Sequence, residues 1–400
     1  MKKLLKIILL LLFIAAAWMF LKDDNEVVLP EPSPAVSEEP VVTLDNGMIE
    51  GVVAFPYPSK GNGLFGNYDC LSPDEQTLYV QILQKIADLN FTFTLDHVDH
   101  ETYSKVITAI RHDYPELFWL TGGYKYQQSE WTSSSITVYM DTLIDEEKIP
   151  SMYGELMNAL DTMTAQTAQY TSSFDLAVFV HDEIIRQCDY NLDAARAGDP
   201  DSLAPASTSY SSLVMRSPVC SGYAAGYQLV LRTLGIPCGR IRGTDASSAP
   251  HEWNYIIIEG EACHVDVTHD DPLSEDSSFI SDVSHIYFGL TDEEILKTRT
   301  MDTDQYLPSC TDDSYNYFKY KGLFVNTYSF DTVKYLVENY SDNGNIQIRF
   351  SSTEEMQAAL DDLSNELYPR IFEIYPYYNN EGHVSYSTHD FFPVLTLFYN

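Results

Sequence analysis

The sequence predicts an α+β protein of several domains. Apolar side chains recur at helical spacing in several segments, among them 74–89, 174–188 and 220–234. Residues 253–267 instead contain two apolar runs around Glu259-Gly260, which is typical of a β-hairpin with a two-residue turn. A chain of 400 residues is long enough for two or three domains with buried cores.

The N-terminus predicts an export signal followed by a linker. Three lysines within the first six residues precede an apolar run from Ile7 to Leu21, and Ala15-Ala16-Ala17 offers a small-residue cleavage site. The run is short for a membrane span of about 20 residues. Residues 1–24 are therefore predicted to be a cleaved signal peptide or a retained membrane anchor, and the Pro- and Glu-rich residues 25–46 a linker. In both cases the body lies outside the cytoplasm, anchored or secreted.

The rest of the chain is predicted to form three regions: an N-terminal α+β domain (47–168), a core (169–323) and a small C-terminal α+β region (324–400). For the first region the patterns predict helices over 74–89, 103–112 and 146–168, the last interrupted by Pro150, and a strand over 135–140. For the third region they predict helices over 330–339 and 353–365, a strand over 346–350 and β-structure from Tyr368 onward.

The core is predicted to begin with a packing helix over 174–188, capped by Ser173 or Asp175. Residues 192–212 are rich in serine and proline, so we expect a surface loop beside any site that Cys220 forms.

Cys220 stands at the start of the helix predicted over 220–234. The helix dipole and the free N–H groups of a first turn favour a thiolate, which is the nucleophilic form of cysteine. Gly222 and Gly226 lie one turn apart and would let another element approach the helix closely. The alternative interpretation is a buried structural cysteine.

The hairpin predicts a partner for that thiol. With Glu259-Gly260 as the turn, Tyr255 faces His264 and Trp253 faces Asp266. His251 then lies one diagonal step from Asp266 on the same face of the sheet. Asp266 can therefore orient the His251 ring toward Cys220, as the third member of a triad does.

Composition and cysteine spacing exclude several classes of site. A formal charge of -36, from 59 acidic and 23 basic residues, disfavours nucleic acid and anionic membrane surfaces as partners. Six cysteines without a Cys-x-x-Cys pair do not suggest a zinc site. Cys238 and Cys263 are predicted to be buried thiols or a disulfide. No metal or cofactor is predicted, because His264, His269, Asp270 and Asp271 lack the spacing of a known ligand set.

Three ordered motifs resemble the core of bacterial transglutaminase-like proteins, in the papain-like cysteine protease superfamily. They are Val219-Cys220-Ser221-Gly222-Tyr223-Ala224, His251-Glu252-Trp253-Asn254 and His264-Val265-Asp266-Val267-Thr268-His269-Asp270-Asp271-Pro272. The resemblance covers about 174–323, with a weaker similarity over 113–119. His269 departs from the pattern, because relatives commonly carry Trp there, which puts the local packing or a hydrophobic subsite in doubt.

The resemblance implies a papain-like core, in which the helix that bears Cys220 packs on an antiparallel sheet with His251 and Asp266. The implied reaction is acyl transfer from a carboxamide or peptide bond through a thioester on Cys220. Water as acceptor gives hydrolysis, and an amine gives a crosslink. The implied partners are protein, peptide or cell-wall peptide substrates, with membrane contact only through the N-terminal segment. The alternative is a non-catalytic cell-surface binding or structural module on the same core.

Overall fold

The computed structural model describes residues 47–58, 63–96, 98–128, 135–272, 283–303, 305–341, 345–364, 369–374 and 384–399. The predicted signal or anchor and its linker, residues 1–46, lie outside this part of the chain. Within the described ranges, no helix combines the length and the apolar character that a membrane crossing requires.

The described chain is a mixed α/β structure with four sheets, as the α+β prediction expects. The largest is an antiparallel five-stranded sheet in the order β10-β6-β7-β8-β9, and another has four strands in the order β11-β12-β14-β13. A three-stranded sheet, β3-β5-β4, and the pair β1-β2 belong to the N-terminal part. The strands are β1 Met48–Ile49, β2 Phe55–Pro56, β3 Thr92–Asp96, β4 Leu120–Gln128, β5 Ser135–Thr142, β6 Cys238–Thr244, β7 Pro250–Ile258, β8 Glu261–Val265, β9 Phe288–Leu290, β10 Thr300–Met301, β11 Phe324–Val325, β12 Ile346–Phe350, β13 Val384–Thr388 and β14 Val394–Tyr399.

The described ranges also contain α-helices. They are α1 Gly66–Asp69, α2 Pro73–Ala87, α3 His100–Asp113, α4 Ile149–Ala165, α5 Ser173–Gln187, α6 Leu192–Ala197, α7 Pro200–Ala206, α8 Ser209–Leu213, α9 Cys220–Thr233, α10 Val267–Asp270, α11 Asp292–Ile295, α12 Tyr317–Tyr320, α13 Phe330–Tyr340, α14 Thr353–Leu363 and α15 Ile371–Ile374. Short 3-10 turns at Glu146–Lys148 and Gln166–Gln169 flank α4.

Most predicted elements are present with small shifts at their ends. Pro150 lies in the first turn of α4 and not inside a longer helix. In a first turn the missing N–H of proline costs nothing, because that group has no partner within the helix. The cap of α5 was predicted wrongly: Ser172, not Ser173 or Asp175, accepts the N–H of Asp175 at 3.3 Å. The C-terminal tail is only partly β, because α15 precedes β13 and β14, while residues 375–383 lie outside the described ranges.

The segment 192–212 is helical and not the predicted loop, although most of 192–205 lies at the surface as expected. This segment forms the three short helices α6, α7 and α8, and the side chains of Ser209, Ser211 and Ser212 are buried. Their hydroxyls donate to backbone carbonyls, among them Ser209 to Pro115 at 2.7 Å and Ser211 to Ala206 at 2.8 Å. Serine-rich composition suggested exposure, but local hydrogen bonds satisfy these groups inside the protein.

The N-terminal region is joined to α9 by buried charges. Arg232 on α9 pairs with Glu116 and donates to the backbone carbonyl of Asp113. The Asp113 carboxylate in turn accepts from Tyr79 Oη at 3.0 Å and from the backbone N–H of Tyr68 at 2.8 Å. The segment 113–119, which carried the weaker similarity, is therefore the place where the N-terminal region packs against the helix that bears Cys220.

Two apolar cores cross the predicted domain boundaries. The first joins the N-terminal helices with α9, and the second joins Ile241, Trp253 and Tyr255 of the large sheet with apolar side chains of α13, β12 and β14. Because the large sheet contributes to both cores, the boundaries at 168 and 323 stay predictions.

Candidate active site

Cys220 is the first residue of α9, as predicted, and α9 packs against β7. Its side chain is buried, with the residue 8% exposed. The segment 206–213 approaches the same helix closely: a Cβ added at Gly222 would lie 2.5 Å from the Ala206 carbonyl oxygen, and one at Gly226 would lie 2.0 Å from Ser212 Oγ. The predicted role of the two glycines is thereby confirmed.

The hairpin register brings His251 and Asp266 together. Tyr255 pairs with His264 as predicted, but the ladder ends at Asn254 and Val265, so Trp253 and Asp266 do not form a pair. Asp266 instead leaves the strand and caps α10, where its Oδ1 accepts the N–H of His269 at 3.2 Å. Its other oxygen, Oδ2, lies 2.8 Å from His251 Nε2.

Arg299 is a further partner of this carboxylate, and the sequence did not reveal it. Its Nη2 and Nε atoms donate to Asp266 Oδ2 at 2.6 and 3.1 Å, and both side chains are fully buried. The guanidinium also lies over the ring of Tyr287, 4.8 Å from its centroid. Arg299 precedes β10, which pairs with β6 at the edge of the large sheet. Because the pairing of β10 with β6 brings Arg299 to Asp266, no local sequence motif predicts this contact.

His269 places a second imidazole beside His251. Its Nδ1 lies 3.4 Å from Asp266 Oδ2, and the two imidazole rings are 4.7 Å apart and nearly perpendicular. The side chain of His269 is one-third exposed, more than that of His251 or Asp266. His269 therefore presents a polar ring at the surface next to His251 and Asp266.

A buried hydrogen-bonded chain begins at Trp253, whose ring lies near that of His251. The Trp253 ring lies nearly parallel to the His251 ring, at 6.0 Å, and its Nε1 donates to His264 Nδ1 at 3.2 Å. Because His264 Nδ1 accepts, its Nε2 carries the proton and donates to Asp292 Oδ1 at 2.9 Å. His264 is thus a structural residue that fixes the position of Trp253.

The thiol of Cys220 is protonated in this environment, contrary to the expectation from the helix terminus. Burial raises the pKa of Cys220 to about 12, although hydrogen bonds from the backbone N–H groups of Glu252 and Ser221 oppose this. The bond from Glu252 also places the sulfur beside the chain neighbour of His251. The helix dipole predicted a lower pKa, but the loss of solvent outweighs it.

His251 and Asp266 differ in charge state, because the first is neutral and the second is ionised at neutral pH. Burial lowers the pKa of His251 below its ordinary value of 6.5, against the raising influence of Asp266. Burial raises the pKa of Asp266, but His251 and Arg299 outweigh it and hold that pKa well below the ordinary value. At neutral pH the site therefore holds a thiol, a neutral imidazole and an ionised carboxylate.

The other cysteines are free thiols within the described chain. Cys238 and Cys263 both pair with Ile256, from the strands on either side of it, so they lie two strands and about 10 Å apart. A disulfide needs Cα atoms closer than about 7 Å. The predicted alternative of two buried thiols is therefore confirmed.

Solved structures with partial similarity to this chain include a transglutaminase and a cysteine protease. No protein-family model matches the chain, and no curated protein matches it. A solved structure described as "a TGase", a transglutaminase, has a TM-score of 0.29 at 11% identity, over 48% of this chain and 53% of that one. A Cytophaga hutchinsonii protein described as "a Putative Cysteine Protease" has a TM-score of 0.24 at 15% identity, over 38% of this chain and 63% of that one. The chain thus covers less than two thirds of either protein.

Proposed function

We propose that this protein is an exported transglutaminase-like cysteine acyltransferase or peptidase, with Cys220, His251 and Asp266 as its catalytic triad on a papain-like core. The observation that carries the proposal is the pairing of His251 with Asp266 at 2.8 Å, on the strand against which the Cys220 helix packs. The backbone N–H of Glu252, the chain neighbour of His251, also lies close enough to the sulfur to lower the pKa of Cys220, which brings the start of the helix to this part of β7.

The charge states favour general-base activation over a resting thiolate. His251 Nε2 is bonded to Asp266, which leaves Nδ1 to take the thiol proton as Sγ attacks the acyl carbon. The imidazolium formed is stabilised by the ionised Asp266 and returns the proton to the leaving amine. The product is a thioester on Cys220, and attack by water or by an amine releases the acid or a new amide. The backbone N–H of Cys220 is a candidate oxyanion donor.

The test uses two reactions of the full chain: incorporation of a fluorescent primary amine into a glutamine-containing protein, and hydrolysis of peptide amides. We expect activity in at least one of them, lost in Cys220→Ser and in His251→Gln, since members of one catalytic unit are non-additive. Cys238→Ser is the matched control, because it removes another buried thiol from the adjoining strand. Equal activity of Cys220→Ser and wild type would reject the mechanism.

A non-catalytic cell-surface module is the second candidate, and one observation favours it. Cys220 is 8% exposed and its pKa is raised to about 12 by burial, as expected of an inert structural thiol. This candidate predicts that wild type catalyses neither reaction, so that Cys220→Ser and His251→Gln behave as wild type does in both assays. The same pair of variants therefore separates the two functions.

A further inference from the structure

A second cluster of histidines and carboxylates lies apart from the three proposed triad residues, and we call it the His181 cluster. It consists of His181 and Asp182 on α5, His285 and Asp270. Asp182 Oδ1 lies 2.9 Å from His181 Nδ1 and 2.8 Å from His285 Nε2. His181 and Asp270 are fully buried, and the side chains of Asp182 and His285 are only 15% and 11% exposed.

We propose that His181 Nδ1, His285 Nε2 and the Asp182 carboxylate bind a divalent transition-metal ion of the zinc class. The three ligand atoms all lie within 4.8 Å of one another. Two imidazoles and one carboxylate are a known ligand set for zinc and related ions, with a fourth position left for water or another ligand. Ligand atoms in such a tetrahedral site are roughly 3.3 Å apart, so small movements would seat the ion.

The surroundings of His181 resemble those of a metal ligand. Histidines that bind a metal through one nitrogen almost always donate the other N–H to a carboxylate or carbonyl. His181 Nε2 lies 3.3 Å from Asp270 Oδ2, and the backbone N–H of Tyr287 holds that carboxylate at 3.0 and 3.2 Å. The ring of His285 is stacked on Tyr317 at 3.7 Å, which fixes the direction of its Nε2.

Charge distinguishes this cluster from the triad. At the triad, Arg299 donates to the same Asp266 oxygen that His251 and His269 approach, so a cation there would meet a buried positive charge. In the His181 cluster the nearest guanidinium belongs to Arg186. It lies 3.5 Å from the other oxygen of Asp182, and its side chain is 45% exposed. The shared ligand oxygen thus faces imidazoles.

The proposed ion would link three parts of the core. His181 and Asp182 belong to α5, His285 precedes β9, and Asp270 ends the short helix that begins after Asp266. Through His181 and Asp270, the ion would therefore hold the end of α10 against α5, close to Asp266. This inference does not depend on the proposed enzymatic function. No sequence spacing predicts it, because His285 follows Asp182 by 103 residues.

The test is a titration of the full-length chain, purified in detergent and freed of metal with a chelator, with Co²⁺ alone. We expect one Co²⁺ per chain, with visible ligand-field absorption of a nitrogen and oxygen site and without a sulfur-to-cobalt charge-transfer band. Zn²⁺ should displace the Co²⁺. His285→Gln should raise the Kd by at least about 100-fold, and Asp270→Asn by roughly 10- to 100-fold.

Control variants test whether Co²⁺ binding is specific to the His181 cluster and whether each variant folds. His269→Gln, which alters the imidazole beside the triad, should bind Co²⁺ with an unchanged Kd. Thermal unfolding of each variant without metal checks that it folds, and Asp182→Asn replaces any variant that does not. Three results would overturn the proposal: no stoichiometric binding by folded wild type, a sulfur-to-cobalt band, or an unchanged Kd in folded His285→Gln or Asp182→Asn.

Discussion

Asp266 determines the electrostatics of the candidate active site, because one of its oxygens is bonded to His251 and to Arg299 together. The buried guanidinium keeps the carboxylate ionised and adds a positive charge near the imidazole. Both burial and that charge lower the pKa of His251. Arg299 is thus a positioning residue, which acts on the proposed general base through Asp266.

The pH dependence of the site follows from these charges. His251 must be neutral to accept a proton, so the rate of Cys220 alkylation should fall on acidification, with a midpoint below 6.5 because the pKa of His251 is lowered from that value. In Arg299→Gln the loss of a positive charge raises that pKa, so the midpoint moves to higher pH. Arg299→Lys retains the charge and should move it less. An unshifted midpoint in Arg299→Gln would show that Arg299 does not act on His251.

Asp266 also contributes to stability. Asp266→Asn leaves the buried Arg299 charge uncompensated, which costs about 3–5 kcal/mol of unfolding free energy. In wild type the pKa of Asp266 is depressed, so its stabilisation is complete above the ordinary value of 3.8 and is lost as the pH falls through the lower folded value. Urea unfolding at pH 7 measures the difference. His251→Gln, which removes no formal charge at that pH, is the control, and equal stability of Asp266→Asn and wild type would contradict the prediction.

At the residue scale, the sequence predicted the pairing of His251 with Asp266 and the position of Cys220 at the start of a helix, but not the charge states of these groups. Cys220 and His251 each stand in a recognisable local pattern, and the parity of the hairpin places Asp266 on the correct face. Arg299 and the raised pKa of Cys220 depend on burial by segments far apart in the chain. No local pattern reports such burial.

The helix that bears Cys220 is held in place by contacts that require glycine. In Gly222→Ala the added methyl group would meet the Ala206 carbonyl oxygen at 2.5 Å and Pro218 Cβ at 2.7 Å. We expect a loss of about 1–3 kcal/mol of unfolding free energy, despite the better helix propensity of alanine. Denaturant unfolding measures it.

Gly154→Ala is the matched control for that variant. Gly154 lies inside α4, and a Cβ there has no atom within 4 Å. The substitution should stabilise the protein by about 0.5–1 kcal/mol, since only the propensity changes. A stabilising effect of Gly222→Ala as well would contradict the close packing of the segment 206–213 on the helix.

At the element scale, the spacing of apolar residues predicted helices and strands correctly, whereas the serine and proline content of a segment did not. The helices α2, α5 and α9 and the β7–β8 hairpin follow from apolar spacing and one turn signature. The segment 192–212 looked like a loop because serine and proline are common in loops. Its helices are short, and buried serines bonded to carbonyls give no periodic apolar signal.

The whole molecule is held together by cores and ion pairs that cross the predicted boundaries. Arg232 and Glu116 join the N-terminal region to α9, and Arg349 on β12 pairs with Glu294 on α11. Trp253, next to the candidate active site, shares an apolar core with β12 and β14. Local patterns do not show which regions share a core.

The C-terminal region should therefore be needed for the stability of the core. A chain that ends at residue 323 would expose the apolar side chains of Ile241, Trp253 and Tyr255, which pack against residues beyond that point. We expect it to be insoluble or to unfold at a lower temperature than wild type. Circular dichroism measures this, with a chain that lacks residues 1–46 as the truncation control. Cooperative unfolding at the wild-type temperature would show that the core folds independently of 324–400 and would contradict this prediction.

The most direct test of the proposed mechanism is the site-resolved rate of alkylation by iodoacetamide, measured by peptide mass spectrometry at pH 7 in wild type and His251→Gln. The six free cysteines provide internal references, since Cys70 is exposed while Cys238 and Cys263 are about as buried as Cys220. General-base activation predicts that Cys220 reacts at least about tenfold faster than Cys238 and Cys263, and that only the Cys220 rate falls in His251→Gln. A Cys220 rate equal to that of the two buried references, and the same in both proteins, would contradict the mechanism and favour the non-catalytic module.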